Sequence, residues 1–317
     1  MFVMRTKLFV NSAIVIAGCA IAIASPVSRV AGKGKPATGS AAQSGAASDA
    51  ADRAKVLRAA ADALGMVRWS DIGGGATHLP GIDVINTMEF SGTGVSYVAG
   101  QPVQTEFRVE LAYNPPGMRV QTVRGGTASI QTVRENYAWD ESEPGAGLIP
   151  GKGMATAQMA AAKERILQLW ILPYGVVKAA LAAGDKTVVS KENGNAVFTF
   201  PLAGAVAGVT VKATLDANNL ITRVETKSDN PALNTETEYS DYADHGEIAT
   251  DIKSPAHTVR TQGGRPVMDL QVKTWDANNP YVVFPVPSAV KAGNAKTAAA
   301  RASTGALLAA DGSVGSR

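Results

Sequence analysis

The chain contains three histidines, the side chains best suited to metal binding or to acid–base catalysis near neutral pH. They are His78, His245 and His257, and no two stand at the spacings that place a pair of ligands on one face of a strand or helix. The single cysteine, Cys19, has no second thiol with which to form a disulfide or a metal site. We therefore expect the histidines to lie in turns or at the surface, and we expect no metal or other cofactor.

Motifs for other chemistries are missing from the sequence as well. No Gly-x-Ser-x-Gly segment suggests the nucleophile elbow of a hydrolase. Gly32-Lys33-Gly34 and Gly73-Gly74-Gly75 lack the spacing and the strand-to-helix context of a nucleotide-binding loop. The 30 Lys and Arg residues are scattered and exceed the 27 Asp and Glu by only three, so the sequence indicates no basic face for nucleic acid. No catalytic residue is identified, which favours a non-enzymatic role.

An acidic cluster of Asp140, Glu141 and Glu143 adjoins a loop, 141–153, that is rich in Gly and Pro. Carboxylates of this kind can bind calcium through their oxygens. An acidic loop in contact with water is the commoner arrangement, and we expect it here.

The first 24 residues have the pattern of a bacterial export signal. Arg5 and Lys7 precede an apolar run that is shorter and more interrupted than the ~20 residues of a membrane span. Cleavage after residue 24 is one reading of this segment. Alternatively, residues 16–19 resemble a lipobox, whose cysteine, here Cys19, would be lipidated; an uncleaved anchor is the third alternative. Each places the protein outside the cytoplasm, as a periplasmic or secreted protein or one tethered to a membrane through Cys19.

Composition divides the rest of the chain into three segments. Residues 25–48 are small, polar and low in complexity, which predicts a flexible linker. Residues 291–317 have the same character and predict a disordered tail. The segment between them, 49–290, is long enough to form one domain with a full core.

Two regions of this domain show helical periodicity. The first is capped by Asp49 or Asp52, ends at Gly65, and has the apolar stripe Leu57, Ala60, Ala61 and Leu64. The second covers 155–172 with Met159, Ala162, Ile166, Leu169 and Trp170 at helical spacing. Pro173 should break it, and a further short helix should run to Gly184.

Apolar and polar residues alternate through most of the remaining sequence, which is typical of half-buried strands. In the segment 105–113, Phe107, Val109, Leu111 and Tyr113 share one side. Similar segments continue to 281–285, and Asn193-Gly194 marks a tight hairpin. The sequence predicts an α+β fold in which a curled antiparallel sheet, a half-barrel of about nine to eleven strands, carries helices on one face.

A wide concave sheet covered by short, alanine-rich helices predicts a gap between the two layers. The side chains expected to line this cavity are those of Phe107, Val109, Leu111, Ile166, Trp170, Val209, Val211, Leu270 and Val272.

Several short motifs also suggest a family resemblance. They are 59–65, 230–233, 235–242, 262–266 with Asp269-Leu270, and 279–280. Together they resemble the β-rich N-terminal domain that precedes the hydrolase in some exported metallo-β-lactamase-fold proteins. That domain is similar to the lipoprotein-carrier half-barrel of the Lol type. The resemblance would cover about 50–290 and implies the fold, but the His-x-His-x-Asp-His metal motif of the hydrolase is missing, so no catalytic residue carries over.

Two functional hypotheses follow. The first is an exported, non-enzymatic binding or carrier module for a lipid, an acylated protein or another apolar ligand, with no nucleic-acid partner. The second is an accessory or degenerate relative of an exported metallo-hydrolase, or a hydrolase with an unrecognised site. An apolar concave lining favours the first, and converging ionisable groups in a cleft favour the second.

Overall fold

The computed structural model describes the backbone of residues 41–67, 69–71, 76–78, 85–245 and 252–293. Side chains are described over the same ranges, apart from 41–48 and 69–78. The predicted export signal with Cys19, the first part of the linker and the tail beyond residue 293 lie outside the described residues. The side chain of His78 does too.

A single antiparallel sheet of 13 strands dominates the described part of the chain. Its strands are β3 Thr87–Val98, β4 Gln101–Tyr113, β5 Pro116–Arg124, β6 Thr127–Arg134, β7 Tyr137–Glu141, β8 Ala155–Ala157, β9 Val188–Glu192, β10 Asn195–Pro201, β11 Val209–Leu215, β12 Ile221–Ser228, β13 Thr235–Asp244, β14 Lys253–Gln262 and β15 Arg265–Ala277. Two short strands, β1 Trp69–Asp71 and β2 Ala76–His78, pair only with each other. The predicted α+β fold with a curled, open antiparallel sheet is confirmed, with more strands than expected.

The strand order shows how the sheet is assembled. It reads β8-β7-β6-β5-β4-β3-β15-β14-β13-β12-β11-β10-β9, so two meanders meet where β3 pairs with β15. The first meander runs outward from β3 to the edge strand β8. The chain then crosses to the opposite edge, β9, and the second meander returns to β15. Because this crossing contains the two helices that follow β8, they span the sheet from one edge toward the other.

The long α-helices are α1 Ala41–Ala63, α2 Ala162–Trp170 and α3 Pro173–Ala183, and the described chain ends in a further helical turn over 288–293, where the sequence predicted the start of a disordered tail. The apolar stripe predicted for α1 is confirmed, since Leu57, Ala60, Ala61 and Leu64 are all buried. The helix begins ahead of the predicted caps, because alanine, which dominates this stretch, has the highest helix propensity. Pro173 occupies the first turn of α3, where its missing N–H costs nothing.

The helix predicted over 155–172 starts later than its periodicity indicates. Ala155–Ala157 forms the edge strand β8, which pairs with β7, and Met159–Ala161 forms a 3-10 turn before α2. Alanine is compatible with either a helix or a strand here, and the pairing with β7 makes this segment a strand. Among the described residues, no single helix has the length and hydropathy of a membrane span; Met159–Trp170 and Pro173–Lys186 meet that test only as a pair bent by 96°.

The segment 281–285 begins in a turn at Tyr281 and belongs to no strand. Tyr281 and Val283 are exposed, while Val282 and Phe284 pack with Trp139 in a small apolar cluster. Trp139 alternates with Ala138, which belongs to the main core, so this cluster lies on the opposite, convex face of the sheet. The predicted strand is therefore wrong: the alternation is real, but no neighbouring strand pairs with it.

Candidate functional site

A groove lies between α2 and the middle of the concave sheet face, with a volume of about 340 Å³. Its walls come from β3, β4, β5, β14 and β15, with Gln131 of β6, and α2 and Leu172 lie above them. Its apolar lining includes Phe90, Val98, Phe107, Val109, Met118, Val120, Leu172, Val267, Met268, Leu270 and Val272. We call this cavity the groove.

Two glycines form the floor of the groove. Gly92 lies opposite Phe107 on one side and Val272 on the other, and Gly94 lies opposite Leu270. A Cβ atom at Gly92 would overlap the carbonyl of Gln271, and one at Gly94 would overlap that of Asp269. Only glycine permits this close approach of β3 to β15, and its lack of a side chain leaves the floor bare. These glycines escaped the sequence analysis, although a glycine inside a strand pattern is the signal for such an approach.

The nine predicted lining residues fall into three groups. Four line the groove: Phe107, Val109, Leu270 and Val272. Four are sealed in the core, each at most 1% exposed: Leu111, Ile166, Val209 and Val211. Trp170 lines a separate cavity of about 440 Å³ beside α3.

The cavity at Trp170 is bounded by alanines of α3, namely Ala179, Ala182 and Ala183. Lys178 lies over the ring of Tyr113 at 5.0 Å, and burial lowers the pKa of this lysine to about 8. The alanine-rich helix therefore borders a cavity that is separate from the groove.

The groove is polar at one end and apolar at the other. Cross-strand register places Phe90 opposite Val109, which in turn lies opposite Val120, at the apolar end. At the other end, Arg260 lies opposite Met268, which lies opposite Ser96. The polar groups lining this end include Ser96, Thr105, Thr122, Arg124, Thr258 and Arg260, and Glu164 of α2 adds a carboxylate that acts on Arg260. Sequence reasoning missed all of them, because a polar residue on a strand usually faces water.

Arg260 is the most deeply buried charge in the groove lining, with 8% of its surface exposed. Its Nε donates a hydrogen bond to the Thr237 hydroxyl at 3.1 Å, while the hydroxyl of Tyr239, on the same strand as Thr237, donates to the Ile171 carbonyl. Burial lowers the pKa of Arg260, whereas Tyr239 and Glu164, a residue of α2, act to raise it. Burial likewise raises the pKa of Tyr239 to about 12, so its hydroxyl keeps its proton at neutral pH. Arginine side chains stay charged in proteins.

The convex face brings a serine, a histidine and an aspartate together. The Ser240 hydroxyl lies 3.2 Å from His257 Nδ1, and His257 Nε2 lies 2.7 Å from the Asp269 carboxylate. The three residues stand on the adjacent strands β13, β14 and β15, whose backbone N–H groups point along the sheet to neighbouring strands. Such N–H groups cannot form an oxyanion hole above the face, so the trio is an ordinary row of cross-strand polar contacts.

The acidic cluster differs from the expected solvated loop. Glu141 is buried, and its carboxylate accepts hydrogen bonds from Thr132 at 2.8 Å, Trp139 at 2.8 Å and the Gly145 backbone at 2.7 Å. Arg119 forms an ion pair with it at 3.2 Å. Both carboxylate oxygens are thus used within the fold, and the group anchors the loop to the sheet. Within the described ranges, no group of three or more His, Cys, Asp or Glu could hold a metal ion.

Comparison with known proteins gives structural neighbours only. No protein-family model matches the chain, and no curated protein does. An outer membrane lipoprotein-sorting protein domain from Vibrio parahaemolyticus superimposes with a TM-score of 0.41 at 12% identity, covering 74% of this chain and 94% of that one. A LolA superfamily protein from Nitrosomonas europaea gives 0.43 at 9% identity, covering 73% and 97%. A DUF1329 family protein from Desulfovibrio piger gives 0.39 at 7% identity, covering 74% and 93%.

These neighbours include no metallo-β-lactamase-fold protein, so the predicted link to that group receives no support. The functional proposals below rest on the geometry of the groove.

Proposed function

We propose that this protein is an exported, non-enzymatic carrier that binds one apolar chain, such as an acyl chain, in the groove. The observation that carries the proposal is the groove itself, an unfilled apolar space at the centre of a sheet whose neighbouring strands are tightly packed. Protein interiors are normally packed without such voids, so a cavity with a largely apolar lining favours a ligand.

The size of the groove restricts its occupant. Its volume of about 340 Å³ is near the lower limit for small-molecule sites, ~300–1,000 Å³. A single extended chain fits this space better than a complete two-chain lipid. Each CH₂ group that leaves water for the groove contributes about 0.8 kcal/mol, so even a chain of moderate length would bind measurably.

The location outside the cytoplasm is part of the proposal and rests on the N-terminal sequence. Fractionation of the native host, with mass spectrometry of the mature N-terminus, tests it. Export with lipidation predicts that Cys19→Ser moves the protein from the membrane fraction to the soluble fraction, whereas ordinary cleavage predicts no effect. A full-length cytoplasmic protein as the main species would contradict both readings.

The test of the groove is displacement of a fluorescent fatty acid, followed in the parent protein and in Leu270→Trp. Leu270 lies on the wall beside the glycine floor, so an indole there should occupy the space of the ligand. We expect saturable binding by the parent protein and at least about a tenfold loss in Leu270→Trp, equivalent to the loss of about two buried CH₂ groups.

The matched control is Val283→Trp. Val283 is 61% exposed and belongs to the segment on the convex side of the sheet, so its substitution should leave binding unchanged. The proposal is wrong if the parent protein shows no saturable binding, or if both variants bind as the parent does.

A further inference from the structure

The polar end of the groove contains a charge that the fold itself leaves incompletely paired. Arg260 is nine-tenths buried and lines the groove, yet its hydrogen bond within the fold is to the neutral hydroxyl of Thr237. Glu164 is the carboxylate that acts on it from α2, but the two form no ion pair among the described residues. Burial of a charge without a charged partner is costly, so this arrangement needs a reason.

A second buried arginine shows what complete pairing looks like in this protein. Arg165 has the same exposed fraction, 8%, and lies on α2. It bonds the Asp140 carboxylate at 2.6 Å and the backbone carbonyls of Thr132 and Trp139. All its partners are supplied by the fold, and it does not line the groove. Arg260 differs in both respects.

The other groups near Arg260 agree with a site for a charged head group. Ser96, Thr105 and Thr122 place hydroxyl groups along the same end, and Arg124 adds a second positive charge at the exposed margin. The opposite end contains the rings of Phe90 and Phe107 in edge-to-face contact at 6.2 Å. A ligand that matches this distribution has an anionic group at one end and an apolar chain at the other.

We propose that Arg260 binds the carboxylate of the ligand, so that the groove takes a long-chain carboxylate in preference to an uncharged chain of equal length. The inference rests on the proposed carrier function and adds the chemical class of its ligand. A guanidinium group matches a carboxylate in shape and can donate two parallel hydrogen bonds to it. The small volume of the groove favours a single-chain acid over a phospholipid.

The test compares dodecanoate, dodecanol and dodecyl phosphate by isothermal titration calorimetry on the purified protein. We expect dodecanoate to bind at least about tenfold more tightly than dodecanol, because hydrogen bonds to charged groups contribute more than neutral ones. In Arg260→Gln, dodecanoate should fall to the affinity of dodecanol, while the affinity for dodecanol stays within about twofold of the parent value. Arg260→Lys, which keeps the charge, should recover part of the preference.

The control is Arg108→Gln, which removes the same charge from the opposite face of β4. Arg108 pairs there with Glu89 and Glu110 and does not line the groove, so the preference for dodecanoate should persist. Circular dichroism of each variant establishes that it is folded.

The outcomes separate the two proposals. Equal binding of dodecanoate and dodecanol by the parent protein overturns the role of Arg260 and leaves the carrier function intact. Stronger binding of dodecyl phosphate overturns the assignment of a carboxylate. No binding of any of the three compounds overturns the carrier function as well.

Discussion

The concave face of the sheet has two halves with the same residue pattern and different packing. In the filled half, β10–β12, residues such as Phe198, Phe200 and Val211 are almost completely buried. In the open half, β3–β5 with β14 and β15, Phe90 and Leu270 remain partly exposed around the groove. Alternation of apolar residues therefore shows which face a strand buries, but not whether that face is filled.

The helices account for the difference. Helix α3 packs on β10, and the apolar stripe of α1 joins the same core. Helix α2 packs on β5, β6 and β7. Between these two areas, the polar residues Glu164 and Gln168 of α2 contribute to the lining of the groove. The groove is the strip of sheet that α2 overlies without filling the space beneath it.

The largest expected effect comes from removing the same ring in each half. Phe198→Ala in the filled half should lower the free energy of unfolding by about 3–5 kcal/mol, because it leaves a closed cavity. Phe90→Ala in the open half should cost at most about 2 kcal/mol, since the ring is already partly in contact with the groove. Urea unfolding measures both. Equal losses would show that the two halves are packed alike.

A tryptophan introduced into each half should reduce stability in the filled half and ligand binding in the open half. Val211→Trp has no space to enter and should destabilise the protein by about 1–3 kcal/mol or more. Leu270→Trp can extend into the groove, and its stability should change by less than about 1 kcal/mol. Thermal unfolding compares them. A strongly destabilised Leu270→Trp would mean that the groove is too small for a side chain, and hence for a ligand.

The glycine floor provides a test within the open half. Gly94→Ala should cost about 1–2 kcal/mol, even though alanine is normally the better strand residue, because its Cβ forces β3 away from β15. Ser96→Ala, on the same side of the same strand, should be nearly neutral. Urea unfolding of the pair gives the difference. A Gly94→Ala variant as stable as the parent would show that the close approach is not required.

The smallest effects belong to the convex face, behind both halves. Lys212 pairs with Glu192 at 2.6 Å, and the hydrogen bond to Glu192 is the main cause of the raised pKa of Lys212. Since this pair is at the surface, Lys212→Met should cost less than about 1 kcal/mol, and added salt should reduce the difference. Arg108→Gln, behind the open half, should behave in the same way. A much larger loss of stability in one of these two variants than in the other would show that the two halves also differ on the convex face.

Much of the fold was predictable because it depends on local patterns. Phe107, Val109, Leu111 and Tyr113 are all buried on one side of β4, as their spacing requires. Asn193 and Gly194 both take positive φ in the hairpin between β9 and β10, which is the geometry that this dipeptide favours. Helix α3 begins at Pro173 and ends at Ala183, where Gly184 caps it, and both limits follow from the properties of the proline and the glycine themselves.

The errors occurred where a distant partner decides the outcome. Ala155–Ala157 is a strand because β7 pairs with it, and 281–285 is not a strand because no neighbour does. Glu141 is buried instead of solvated because Arg119, from β5, reaches it. Nothing within a few residues distinguishes the alternatives for the two segments, and for Glu141 the local hydrogen bonds from Trp139 and Gly145 are completed by the distant Arg119.

The sequence by itself determined the strands, their buried faces, the turns and the helix breaks, because each depends on residues close together in the chain. Only the tertiary structure decided that Val211 is core while Leu270 is groove wall, and that Arg260 faces an apolar cavity. These outcomes depend on the pairing of β3 with β15 and on where α2 crosses the sheet. Burial is a property of all the neighbours of a residue, and for Leu270 and Arg260 those neighbours include β3 and α2, which lie far earlier in the chain.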